Sequence, residues 1–268
     1  MSAAAMSAAV KTRLFVDAPL AEGAAVGLDH ERAHFLRHVL RLEPGDLVAV
    51  FNGRDGEWSA RIDGFGKGWC SLTALDQRRP QTPSPDLWLA FAPIKKGRID
   101  FIAEKATELG VSRLLPVFTR RTDPNRVNVE RLAANAVEAA EQCERLDAPE
   151  VAQPQRFDQL LANWPADRKL ILLAESGKAE PLATVAGRLR GAKAGLLVGP
   201  EGGFDQMELD ELARHPSCVA AGLGPRVLRA ETAVVAALAV WQAAAGDWTQ
   251  GDADVRPPDR GDAATLSL

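Results

Sequence analysis

From residue 13 to residue 75, apolar side chains recur at every second position in short runs. Arg13–Val16, Asp46–Phe51, Glu57–Asp63 and Trp69–Leu75 are rich in Val, Phe, Trp and Leu. Glycine and asparagine separate them, as in Asn52-Gly53-Arg54-Asp55-Gly56. A period of two puts one set of side chains on a single face, so these runs predict strands. One helix interrupts them, from about Glu31 to Leu40, with Asp29 as its N-cap. The pattern predicts a small β-barrel over residues 1–78. Pro80, Pro83 and Pro85 then stiffen a linker over residues 79–86.

Beyond the linker the period changes. Leu87–Ala92, Arg113–Phe118, Lys169–Ala174, Ala194–Val198 and Ser217–Ala221 are apolar throughout. Helical patterns follow them at Arg98–Leu109, Val129–Arg145, Pro181–Arg190, Gln206–Arg214 and Glu231–Ala245. Strands without polar alternation, each followed by a helix, predict an α/β domain over residues 87–246. Its parallel sheet is covered on both faces. Residues 247–268 turn polar and acidic and predict a disordered tail.

Composition narrows the classes of function. With 46% hydrophobic and 25% charged residues, 268 residues suit one large domain or two ordinary ones and exclude wholesale disorder. No apolar run approaches the ~20 residues a bilayer requires, and Met1–Val10 lacks a signal-peptide layout, so a cytoplasmic protein without membrane contact is expected. Cys70, Cys143 and Cys218 are far apart and read as reduced thiols. The net charge is -4. From Asp247 onward five Asp and two Arg give -3, which leaves -1 for the rest. A near-neutral body still accommodates a local basic groove, on which phosphate affinity depends.

His30-Glu31-Arg32-Ala33-His34 spells HExxH, two imidazoles one helical turn apart around a general base. Arg32 would put a cation beside a metal, and Leu40 stands where a third histidine would belong, so no metal is expected. His34, Arg37, His38 and Arg41 are spaced to share one helical face. That face is either simply solvated or a contact for RNA phosphates. A P-loop and a dinucleotide fingerprint are both missing.

The strongest local feature is Leu196-Leu197-Val198-Gly199-Pro200-Glu201-Gly202-Gly203-Phe204-Asp205, a buried-type strand running through glycines into a helix. Asp205 reads as N-cap with Glu208 three positions on, and Phe204 with Leu209 as a hydrophobic staple. Strand, glycine loop and helix start make a ligand site at the carboxyl end of a parallel sheet. An ordinary turn is the alternative. Leu223-Gly224-Pro225-Arg226-Val227-Leu228-Arg229-Ala230-Glu231-Thr232 repeats the arrangement, with Arg229 and Glu231 at the helix entrance as ligand groups or as a surface ion pair. Glu138, Glu141, Gln142 and Arg145 share a further helix face, and Lys105–Gly110 closes a helix on a C-cap glycine.

With these motifs in this order, the sequence resembles the RsmE family of small-subunit ribosomal RNA uridine-N3 methyltransferases, in the SPOUT superfamily. The match runs from about Arg13 to Trp241 through His38–Leu42, Lys105–Gly110, Glu138–Gln142 with Arg145, Gly199–Gly203 and Arg226–Ala233. Val227 and Ala230 stand where Ile and Thr are usual, and the acidic tail is extra. The resemblance implies a PUA-like barrel that holds RNA and a SPOUT domain with a deep trefoil knot. It implies S-adenosylmethionine bound at Leu173, Ala174, Glu175, Val198, Gly199, Pro200, Gly202, Gly203, Leu223, Gly224, Val227, Leu228 and Thr232. Arg13, Arg121 and Arg145 join His34, Arg37, His38 and Arg41 as expected RNA contacts. A homodimer acting on 16S ribosomal RNA, within the small subunit, is expected.

The chemistry needs no metal, because the sulfonium methyl is already a strong electrophile. Uracil N3 must lose a proton, and negative charge spreads onto its flanking carbonyls. Glu231 is expected as base or base-orienting group, Arg229 as the clamp on a carbonyl or phosphate, and Glu201 as reserve base. An ion pair that merely shapes the loop fits these residues equally well. Methylation of another RNA such as transfer RNA, or an RNA-binding assembly factor without catalysis, are the competing functions.

Overall fold

The structure, a computed structural model, describes residues 10–82, 84–95, 97–174 and 179–249. Glu175 and residues 250–268 of the expected tail lie outside them. The chain divides into two units. Met1–Pro83 and Ala140–Asp147 belong to the first, Ser84–Ala139 and Ala148–Asp252 to the second. Among the described residues no helix is long and apolar enough to cross a membrane.

The first unit contains β1 (Arg13–Phe15), β2 (Ala25–Leu28), α1 (His30–His34), β3 (Leu47–Phe51), β4 (Glu57–Gly66) and β5 (Trp69–Arg79). The sheet order is β1-β3-β4-β5-β2, antiparallel except for β1 with β3. Leu14, Val26, Leu36, Val48, Ile62 and Leu72 fill its interior. Strand β2 escapes sequence reading because Ala25-Val26-Gly27-Leu28 has a single β-branched residue. Asp29 does cap α1, accepting from the Arg32 amide at 2.9 Å. The α-helix is shorter than expected. It passes into a π-helical turn over Phe35–Val39, where the Leu40 amide donates to Phe35 O. Arg41 then adopts φ 57°, and the Leu42 amide returns to Leu36 O, closing the helix in the left-handed manner that glycine usually serves.

A buried ionic cluster ties this unit together. Glu57, 2% exposed, accepts from Arg13 Nε at 2.7 Å, Arg78 Nε at 3.1 Å and Arg79 Nη2 at 2.8 Å. Arg13 also donates to the carbonyls of Ala140, Glu141 and Arg145 at 3.0, 2.9 and 2.7 Å. The first two are terminal carbonyls of α3 (Val129–Gln142), which a cation stabilises. Glu141 in turn accepts from the Phe15 amide at 2.8 Å. Burial alone raises the Glu57 carboxyl, but the charge and hydrogen bonds of Arg13 and Arg79 outweigh it and hold the group below the usual carboxylate range.

Two arginines expected as RNA contacts already have partners within the fold. Arg13 is committed to Glu57 and the helix end. Arg145 binds Asp147 at 2.9 Å with its side chain 10% exposed. Both guanidiniums serve the fold. Helix α3 also ends three residues before Arg145, and Glu144 adopts φ 66°.

The second unit runs β6 (Leu87–Phe91), α2 (Arg98–Glu108), β7 (Arg113–Phe118), most of α3, β8 (Glu150–Val151), β9 (Gln155–Arg156), α4 (Phe157–Ala162), β10 (Lys169–Ala174), β11 (Glu180–Pro181), α5 (Leu182–Arg188), β12 (Ala194–Val198), α6 (Gln206–Arg214), β13 (Cys218–Gly222) and α7 (Ala230–Ala244). Its strands pair in parallel in the order β11-β13-β10-β12-β6-β7-β8, with β9 beside β7. Strand residues alternate between two apolar layers. Leu89, Phe91, Ile171, Leu196 and Val198 face Ile102, Val185, Val234 and Leu238. Ala90, Leu170, Leu172 and Leu197 face Leu160, Trp164 and Leu212. Burial on both faces is why these strands read as unbroken apolar runs.

Candidate functional site

Parallel register brings the strand ends to one edge of the sheet. Val198 pairs with Phe91, and Ala174 pairs with Gly222. The loops that follow β6, β10, β12 and β13 therefore leave from the same side, where open α/β sheets hold ligands. The sequence-predicted loops Gly199–Gly203 and Leu223–Arg229 thus come from neighbouring parts of one edge.

The glycine loop is held firmly. Gly203 is buried at φ 66°, and its amide donates to Pro200 O at 2.9 Å. A Cβ at Gly199 would approach the Phe204 ring to 2.8 Å. The expected capping box forms: Asp205 accepts from the Glu208 amide at 2.8 Å, and Glu208 Oε2 accepts from the Asp205 amide at 2.9 Å. The other Glu208 oxygen accepts from the Arg120 amide at 2.8 Å, so a segment after β7 braces the loop. Arg121 Nη1 donates to Gly202 O at 2.9 Å while remaining exposed, so this expected RNA contact also shapes the loop. Phe204 lies 6.0 Å from the Phe157 ring, and Leu209 is 37% exposed.

Gly202 needs no special backbone angle. An added Cβ there would meet Arg121 Cβ at 3.4 Å, an ordinary contact. The glycine requirement lies instead at Gly203. Gly203→Val should lower S-adenosylmethionine affinity about tenfold or more, since a branched residue is strained at positive φ. Gly202→Ala should bind within about threefold of the parent by calorimetry, which corresponds to well under 1.4 kcal/mol.

Around this loop Leu173 and Val198 are buried, while Ala174, Gly199, Leu223 and Leu228 are half-buried. Gly224 adopts φ 95°. Val227 is 83% exposed, Thr232 and Glu201 are exposed, and Pro200 is buried. Arg229 stands exposed at the start of α7; its carbonyl accepts from the Ala233 amide at 2.8 Å, and its side chain makes no hydrogen bond or ion pair among the described residues. The Arg229–Glu231 ion pair, the alternative that the sequence left open, does not occur among the described residues. Glu231 Oε1 instead lies 3.6 Å from Arg98 Nη1, and its Oε2 is buried without a hydrogen bond among the described residues.

Sequence reasoning missed Arg98. The signal was present: Lys95-Lys96-Gly97-Arg98 gathers cations at the start of a helix, where the dipole disfavours them unless an anion is near. Gly97 at φ 90° turns the chain from the sheet edge into α2.

In the first unit His34, Arg37, His38 and Arg41 are all exposed. The rings of His34 and His38 lie 4.8 Å apart, and the Arg37 guanidinium sits 5.8 Å over the Phe65 ring. The one-face spacing fails at Arg41, whose left-handed backbone takes it off the helix. No group of three metal-capable side chains occurs among the described residues.

An RNA methyltransferase domain family matches residues 80–242, and an RNA methyltransferase PUA domain family matches residues 28–68. The chain is similar to ribosomal RNA small subunit methyltransferase E of Rickettsia conorii, at 35% identity over 85% of this chain and 93% of the relative. Its fold is similar to that of a Neisseria gonorrhoeae ribosomal RNA small subunit methyltransferase E bound to S-adenosylmethionine. The TM-score is 0.78 at 27% identity, over 87% of this chain and 97% of that one. A Legionella pneumophila methyltransferase in complex with the same cofactor gives 0.76 at 28% identity, over 87% and 98%. With one domain family spanning more than half of its length and a close relative covered almost end to end, the chain belongs to the ribosomal RNA small subunit methyltransferase E family.

Proposed function

We propose that this protein transfers a methyl group from S-adenosylmethionine to N3 of a uridine in 16S ribosomal RNA, as a cytoplasmic homodimer acting on the small ribosomal subunit. The observation that carries this reading is the gathering of two glycine loops and the Glu231 carboxylate at the carboxyl edge of one parallel sheet. The residues suit the cofactor. Gly202 and Gly203 carry no side chain to obstruct a ligand, and Leu173, Val198 and Leu223 offer apolar surface. Threading of the chain into a knot at these loops belongs to the same proposal.

When bound, S-adenosylmethionine supplies an electrophilic methyl group. The residues of this chain handle the proton and the charge. Glu231 accepts the proton of N3, and Arg229 meets the charge that spreads onto a flanking carbonyl. Glu201, exposed on the glycine loop, is the reserve base. Mass mapping of ribosomal RNA from cells with and without the protein tests the reading. One uridine of the 16S RNA should lose its methyl group. An unchanged 16S map with a lost methyl in transfer RNA would favour the other substrate. Light scattering at micromolar concentration should give twice 28.7 kDa.

In the first unit, His34, Arg37, His38 and Arg41 are proposed to contact RNA phosphates. Trp69, 51% exposed and packed over Gly66, offers a face on which a base can stack. Replacing Arg37 and Arg41 together by Ala should flatten the salt dependence of RNA binding by about one unit of slope per lost phosphate contact. Cofactor affinity should stay unchanged, since its loops lie in the other unit. Equal RNA affinity at every salt concentration would return these residues to a solvated face.

A further inference from the structure

We infer that Arg98 is a positioning residue for methyl transfer. It anchors one oxygen of Glu231 and leaves the other for the N3 proton of the substrate base. The inference rests on the reading of Glu231 as proton acceptor.

Arg98 opens α2 and Glu231 lies in the first turn of α7. These helices share one apolar layer, in which Ala103 and Ala106 accompany Val234 and Ala237. Small residues there keep the two helix starts close. The other acid near the start of α2 is already satisfied, because Asp100 accepts from Arg131 at 2.6 Å and Asn135 at 3.0 Å. Arg98 is thereby left to Glu231.

The separation of 3.6 Å is that of an ion pair, longer than a hydrogen bond. Arg98 therefore acts on the carboxylate through charge at close range rather than through a hydrogen bond. The remaining oxygen, Oε2, is buried and accepts from no group among the described residues. Buried polar atoms are nearly always paired, and an unpaired one is costly. A donor that arrives with the substrate resolves that cost, and uracil N3–H is such a donor. As the bond from sulfur to the methyl carbon breaks, a bond from that carbon to N3 forms. The N3 proton moves to Glu231 Oε2, leaving a neutral acid beside Arg98 and a neutral thioether. The acid returns its proton to water when product leaves.

Single-turnover methylation with Arg98→Ala, Arg98→Lys, Glu231→Gln and the Arg98→Ala/Glu231→Gln double variant tests this. Arg98→Ala should slow the chemical step about 10- to 100-fold, a part of what a general base contributes. Affinities for RNA and cofactor should stay within about threefold of the parent, which also reports that the protein is folded. Arg98→Lys should recover most of the rate. The double variant should be no slower than Glu231→Gln alone, because a group that acts through Glu231 has nothing left to act on. Multiplying losses in the double variant, with Glu231→Gln itself impaired, would overturn the role of Arg98 alone. Full activity in Glu231→Gln would overturn the reading of Glu231 and the inference with it.

Discussion

Glu231→Gln is expected to slow methyl transfer by about 10²–10⁴-fold while S-adenosylmethionine binds as before. Glutamine keeps the size and one acceptor oxygen, so packing at the start of α7 is preserved. What is lost is the basic oxygen beside the cofactor loops. In the parent that oxygen is buried without a hydrogen-bond partner among the described residues, and Arg98 supplies a counter-charge 3.6 Å from its twin. The amide also presents N–H groups, which oppose the donor at N3 in one of its two orientations. Single-turnover rates at saturating RNA, set beside calorimetric cofactor affinity, separate chemistry from binding. Parallel loss of both would make Glu231 a structural residue of the loop.

Glu57→Ala is expected to destabilise the first unit by about 3–5 kcal/mol, the range for stripping one partner from a buried ion pair. The carboxylate is 2% exposed and meets three guanidiniums. Removing it leaves the half-buried Arg13 and Arg79 with like charge and without the Glu57 carboxylate. The denaturation midpoint should fall at unchanged slope. The parent should show the matching pH dependence. Since the folded carboxyl lies below its ordinary value of 4.5, its stabilisation is present above that pH and is lost as pH falls through the folded value. Glu57→Gln should weaken this acid dependence. A variant as stable as the parent would show that the arginines reach solvent readily.

The periodicity of the chain determined most of the second unit. Strands β7, β10 and β12 and helix α6 have the bounds that the sequence predicts, because each is buried on a defined face and carries its own end signals. Asp205 with Glu208, and Asp29 with the Arg32 amide, are short-range contacts, so adjacent residues suffice to foresee them. The two glycine loops were legible for the same reason.

What only the tertiary structure decided depends on partners far apart in sequence. Arg13 and Arg145 read as cations free to meet phosphate. The fold instead gives Arg13 a buried carboxylate 44 residues away and a helix end more than 120 residues away. Arg145 turns to Asp147 once Glu144 has ended the helix. Glu231 could be read as the partner of Arg229, close to it in the chain, but the packing of α2 and α7 in one apolar layer brings Arg98 to it from another helix. Local pattern sets which residues become strand, helix or turn, because those choices rest on a few adjacent side chains. Which charges are neutralised is set by the packing of distant elements, since Coulomb attraction depends on separation in space and on burial.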